Sequence, residues 1–144
     1  MSVIVSGTLM EKEGKYLLIR QNGGHDKGKW WIPAGTLEDG EYVLDTAIRE
    51  TFEESGYNVK LSGILGLYNK IIRDKTVMGI IFKGDIVSGN LNFNPEEISD
   101  ARWFTYDEIL EIQDELRSKE ALLRCLQNAK NNNVILLDDF IKIN

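Results

Sequence analysis

The 144 residues carry 23 acidic and 17 basic side chains, a net charge of −6, with 42% apolar and 28% charged residues. That length suits a single domain over residues 1–144 with a real core, no apolar run approaches the roughly 20 residues of a membrane span, and the acidity opposes attraction to nucleic acid polymers or anionic lipid. No basic stretch followed by an apolar one opens the chain, and the single Cys125 has no partner for an internal disulfide, so a cytoplasmic setting is expected.

In chain order, Val3 to Met10 and Lys15 to Arg20 are apolar, β-branched runs around Glu11-Lys12-Glu13-Gly14, which predicts a hairpin. Gln21 to Lys29, with three glycines and the only histidine, His25, reads as a surface loop. Trp30 to Ile32 is a short strand closed by Pro33-Ala34-Gly35. From Tyr42 to Ser55 the period turns helical, with Val43, Leu44, Ala47, Ile48, Thr51 and Phe52 in one stripe, and Gly56 marks the stop. Val59–Asn69, Thr76–Val87 and Ala101–Phe104 read as strands. Thr105 with Glu108 three residues on predicts a capping box, Leu116 to Lys130 a further helix, and Val134 to Ile143 an apolar tail that packs back on the domain. Cys125 lies in an apolar helical run, which suits a buried structural thiol. Strands interleaved with helices predict an α/β fold, a mixed sheet covered by helices on both faces.

One segment carries chemistry. At about 100° per residue, Glu50, Glu53 and Glu54 fall within an arc of roughly 100°, centred about 120° from the middle of the apolar stripe. Such carboxylates repel each other by about 3 kcal/mol a pair at ~5 Å and an effective dielectric near 20, so a merely solvated helix has no reason to gather them. Oxygen ligands on a rigid helix suit Mg²⁺ or Mn²⁺. Arg49, four residues before Glu53, is placed to hold that carboxylate. His25 stands alone, so no Ser/His/Asp scheme competes.

Residues 35 to 57, GTLEDGEYVLDTAIRETFEESGY, hold Gly35, Glu41, Arg49, Glu50, Glu53, Glu54 and Gly56 at fixed spacing. This resembles the Nudix box, G-x5-E-x7-R-E-U-x-E-E-x-G-U, with Thr51 in a place the family usually gives to an apolar residue. The resemblance implies an α/β/α sandwich and metal-dependent hydrolysis of a phosphoanhydride bond. It implies Glu53 and Glu54 as main metal ligands, Glu50 assisting, the Gly35 carbonyl as a further ligand, and Glu41 as support for the loop. Glu97, in PEEISDARWF, resembles a glutamate that some members use as ligand or base.

The expected substrate is a small phosphorylated molecule, taken by a monomer or homodimer. Arg20, Lys29, Arg73 and Lys75 are candidate phosphate contacts, and Trp31, Tyr68 or Phe82 candidate stacking partners for a base. The start PAGTLEDGE and the stretch ELRSKEALLRCLQNAKNNNVILLDDF are similar to a bacterial phosphatase branch acting on nucleoside tri- and diphosphates and on the thiamine-pyrimidine pyrophosphate. Prolines occur only at 33 and 95, so the proline that follows the box in many ADP-ribose hydrolases is absent. The alternatives are an ADP-ribose or nucleotide-sugar pyrophosphatase, and a Nudix-fold sensor that binds without cutting; sensors often lose box carboxylates, and this chain keeps all of them.

Overall fold

The computed structural model describes residues 2–144. Its strands are β1 (Ser2–Lys12), β2 (Lys15–Gln21), β3 (Trp30–Trp31), β4 (Ala34–Thr36), β5 (Tyr57–Ile72), β6 (Lys75–Gly89) and β7 (Ile98–Thr105), and its helices are α1 (Val43–Ser55), α2 (Tyr106–Glu111) and α3 (Lys119–Lys130). The sheet runs β3-β2-β1-β6-β5, with β4 also paired to β1 and β7 to β2. Strand β1 joins two halves: it meets β2 only at Glu11–Lys12, while Ser2–Met10 pair in parallel with Thr76–Gly84 of β6. The hairpin turn read at Glu11-Lys12-Glu13-Gly14 is present, and the pairing of β1 with β2 stays beside it because β2 spends its length on β7.

Side chains alternate across a strand, and the core divides accordingly. Leu9, Leu18, Leu65 and Ile81 join one buried cluster, with Leu122, Cys125 and Leu126 of α3. Their neighbours Met10, Leu17, Ile64 and Phe82 join the other, with Ala47 of α1. Helices thus cover both faces of a mixed sheet, as expected.

Three expectations change in detail. The helix predicted from Leu116 begins at Lys119, since Ser118 is left-handed (φ 47°) and Arg117 N–H donates to the Trp30 carbonyl (2.9 Å). Phe52, assigned to the apolar stripe, is 49% exposed. In the tail, Leu137 and Phe140 pack on the core and Ile135 exchanges backbone hydrogen bonds with Ile64, but Ile135, Leu136, Ile141 and Ile143 keep exposed side chains. The capping box forms as read: Thr105 Oγ1 accepts from Glu108 N–H, and the Glu108 carboxylate accepts from Thr105 N–H. Among the described residues no helix is long and apolar enough to cross a membrane.

Candidate active site

Helix α1 presents the acidic cluster because both ends and its register are fixed. Gly56 ends it in the left-handed region (φ 83°), its N–H donating to the Phe52 carbonyl, a conformation costly to any residue with a Cβ. Register comes from buried polar contacts: Ser6 Oγ donates to the Val43 carbonyl (2.9 Å), and the hydroxyls of Thr8 and Thr51 lie 2.7 Å apart inside the core. Thr51 therefore fills its place with a partner from β1.

Arg49 is the hub. Its Nε and Nη2 donate to the two oxygens of Glu41 (2.8 and 3.0 Å), Nη1 donates to Glu50 (2.8 Å) and Glu53 (3.2 Å), and Nη2 reaches the Thr36 carbonyl (3.4 Å). The expected Arg49–Glu53 pair is present but is the longest of its carboxylate bonds. The two-pronged contact is with Glu41, whose carboxyl Arg49, aided by the Thr46 hydroxyl (2.6 Å), lowers to about 2. Glu41 also accepts from Glu38 N–H (3.3 Å), which supports the loop before the helix as expected. The same bonds to Glu41 raise the Arg49 value further, so the guanidinium stays charged.

The three carboxylates of the helix differ. Glu53 is open to solvent (53% exposed) and Glu50 largely enclosed (16%). Burial lifts the Glu50 carboxyl above its ordinary value in spite of Arg49. The Glu50 carboxylate lies against Gly35, where any Cβ would collide with it, so this glycine is a requirement of close approach. Glu54 is half-buried at the border of the core, where the helical angles put this face: its Oε1 accepts from Ala34 N–H (2.8 Å), and burial pushes it up to about 8, with the Glu50 and Glu97 charges adding and Arg117 opposing. Glu97 is exposed on the loop before β7, close enough to act on Glu54 by its charge.

The donor set is oxygen throughout, the kind that Mg²⁺ or Mn²⁺ takes, and Glu54 is an enclosed carboxyl with one N–H donor and no cation bonded to it. Among the described residues no three His, Cys, Asp or Glu side chains form a ready cage; Arg49 stands between Glu41, Glu50 and Glu53 and holds them in place.

The other candidates separate. Arg20 bonds Ser99 (2.9 Å) and lies over Trp30, and Lys29 bonds the Asp114 carbonyl (3.1 Å), so both are engaged on the loop side of the sheet. Phe82 is wholly buried against Phe140, and Trp31 is 1% exposed with its ring against the edge of Tyr68, so neither ring has a free face for a base. Tyr68 is half-buried. Arg73 and Lys75 come together in a cleft with two cations that reading the sequence missed, Lys70 and Arg117. Lys70 had a signal: two residues after Tyr68 on one strand, it shares that side chain's face.

The family model for the NUDIX domain matches residues 2–125. The chain belongs to that family. It is 34% identical over 105 residues to an ADP-ribose pyrophosphatase of Methanocaldococcus jannaschii, covering 72% of this chain and 61% of that one. It is likewise 34% identical over 102 residues to the NAD-capped RNA hydrolase NudC of Mannheimia succiniciproducens, covering 67% of this chain and 38% of that protein. Both alignments thus span less than two thirds of the relative's length. A solved NUDIX hydrolase from Nitrosomonas europaea superposes with a TM-score of 0.84 at 26% identity, covering 100% of this chain and 98% of that one. The Nudix helix is α1, and the Arg49 network is built on it.

Proposed function

We propose that this chain hydrolyses a phosphoanhydride bond in a small nucleoside di- or triphosphate, or a related organic pyrophosphate, with Mg²⁺ or Mn²⁺ bound. The observation that carries this is the complete carboxylate set on α1 with Glu54 enclosed and unpaired by any cation. The residues that would hold the ion are Glu50, Glu53 and Glu54, with the Gly35 carbonyl and Glu97 at the rim; when bound it neutralises phosphate oxygens and lowers the pKa of water. Arg49 fixes Glu50 and Glu41. It takes up one oxygen of Glu53 and leaves Oε1 free, so this exposed carboxylate is placed to accept the proton of an attacking water. Setting and assembly follow the sequence reading: cytoplasmic, monomer or homodimer, with small molecules rather than polymers as substrates.

The test is phosphate and pyrophosphate release from nucleotides, nucleotide sugars and thiamine precursors with Mg²⁺. Turnover is expected to stop in excess EDTA, and Glu53→Gln and Glu54→Gln to lower kcat by at least about 100-fold while keeping the parent fold. Undiminished turnover in EDTA would sink the proposal. A second reading rests on the 34% identity to an ADP-ribose pyrophosphatase: a ten-fold preference for ADP-ribose over nucleoside triphosphates would select it. Tight binding of these ligands without turnover would select the sensor.

A further inference from the structure

Beside the carboxylate cluster lies a cleft of about 290 Å³, lined by His25, Thr36, Lys70, Arg73, Lys75 and Arg117 over a floor of valines from β1 and β6. No carboxylate lines it, although the chain carries a net charge of −6. Four cations around one small space is a costly arrangement unless something answers it. Among the described residues Lys70, Arg73 and Lys75 make no ion pair, whereas Asp26 lies 3.2 Å from Arg117 Nε and its charge also acts on Lys70.

Burial sharpens the case. That Nε is shut off from solvent and has the Asp26 ion pair but no hydrogen-bond acceptor. Trp31 Nε1 and Tyr68 Oη are likewise buried without partners, and no other buried side-chain nitrogen or oxygen among the described residues shares that condition. The three are neighbours: Arg117 Cζ sits 5.8 Å from the Trp31 ring centroid, and the Trp31 and Tyr68 rings are 5.8 Å apart. Buried polar groups are normally paired; of these three only Arg117 lines the cleft, where it stands with Lys70, Arg73 and Lys75, and four cations with no carboxylate in the lining point to a ligand made of acceptors.

Two further features agree. Arg73 and Asp74 form the two-residue turn between β5 and β6 with φ of 49° and 66°, where glycine or asparagine is the cheaper choice, so the arginine is kept at a conformational cost. Lys70 donates to Ser118 Oγ (2.8 Å), and its burial followed by the charge of Arg117 holds it below its ordinary value. The cleft is continuous with the carboxylate cluster, since Thr36 lines it while its carbonyl accepts from Arg49 and its neighbour Gly35 touches Glu50.

We propose that this cleft receives a phosphoryl group of the substrate other than the one attacked, so that the preferred substrates carry a phosphate beyond the two that share the broken bond. This rests on the hydrolase reading above, but it is testable without it. In EDTA, at fixed ionic strength, calorimetric titration with tripolyphosphate is expected to show binding that Lys70→Met and the double variant Arg73→Gln/Lys75→Gln each weaken by about ten-fold, while Glu54→Gln binds at least as well as the parent. With Mg²⁺, the two cleft variants should raise KM for a nucleoside triphosphate about ten-fold with kcat within about two-fold, and change KM for ADP-ribose less than about two-fold.

Tripolyphosphate affinity indifferent to the cleft variants overturns the proposal, as do equal KM losses for both substrates. Orthophosphate binding as tightly as tripolyphosphate, and lost in the same variants, makes the cleft an effector site for free phosphate and also overturns it. Tripolyphosphate binding that follows the cleft in a protein that turns over nothing sinks the hydrolase reading and supports the cleft.

Discussion

The hydroxyls of Thr8 and Thr51 show what one buried hydrogen bond does on this scaffold. Thr51→Val is nearly isosteric but leaves the Thr8 hydroxyl without its partner, so a loss of about 1–3 kcal/mol is expected in urea unfolding, and Thr8→Val/Thr51→Val should recover most of it. Losses that simply add would mean the two hydroxyls act separately. Glu54 makes a second prediction, for metal-free protein. Its folded value of about 8 lies above the ordinary 4.5, so the folded state holds this proton more tightly than the unfolded chain does. The resulting stability is full below about pH 4.5 and is lost as pH rises through about 8. Melting temperature in EDTA should therefore fall across that window in the parent and less steeply in Glu54→Gln, which should be the more stable of the two at pH 8. A steeper fall in the variant would contradict the burial of this carboxyl. Its burial was legible in the helical angles: Glu54 sits about 70° from the centre of the apolar stripe, between Val43 and Ala47, whereas Glu53 sits about 170° away. Treating the three carboxylates as one face hid that difference.

At the scale of elements, α1 was readable because motif and apolar period coincide and Gly56 closes them. Phe52 misled because it lies at the edge of the stripe, about 90° from its centre. Strands β5 and β6 were read short, since alternation fades toward the hairpin tip where Ile71 is exposed and Lys70 is not. The start of α3 was misread because Leu116 continues the apolar period although its backbone bridges to Trp30, a pairing 86 positions away that no local pattern reports. Helix α3 is held by Leu122, Cys125 and Leu126, so Leu126→Ala should cost about 2–5 kcal/mol. Because Ser118, at the head of that helix, accepts from Lys70 of the cleft, the same variant should weaken tripolyphosphate binding more than Ala47→Gly in α1. Equal binding in the two would show that α3 does not support the cleft.

For the whole molecule, layers and the carboxylate helix could be read in one dimension, whereas the cleft could not. Its lining comes from β1, the loop at His25, β4, the β5–β6 hairpin and the segment before α3, and only the sheet order brings them together. Topology also sets how the chain reaches this state. The β5–β6 hairpin closes across two residues, but β1 must find β6 over some seventy intervening positions and run parallel to it. Loop closure of that span has to precede its reward. During synthesis the apolar strand Val3–Met10 therefore emerges long before its neighbour exists, and refolding from denaturant should proceed in milliseconds to seconds rather than microseconds, with the hairpin protected from hydrogen exchange before the amino-terminal strand.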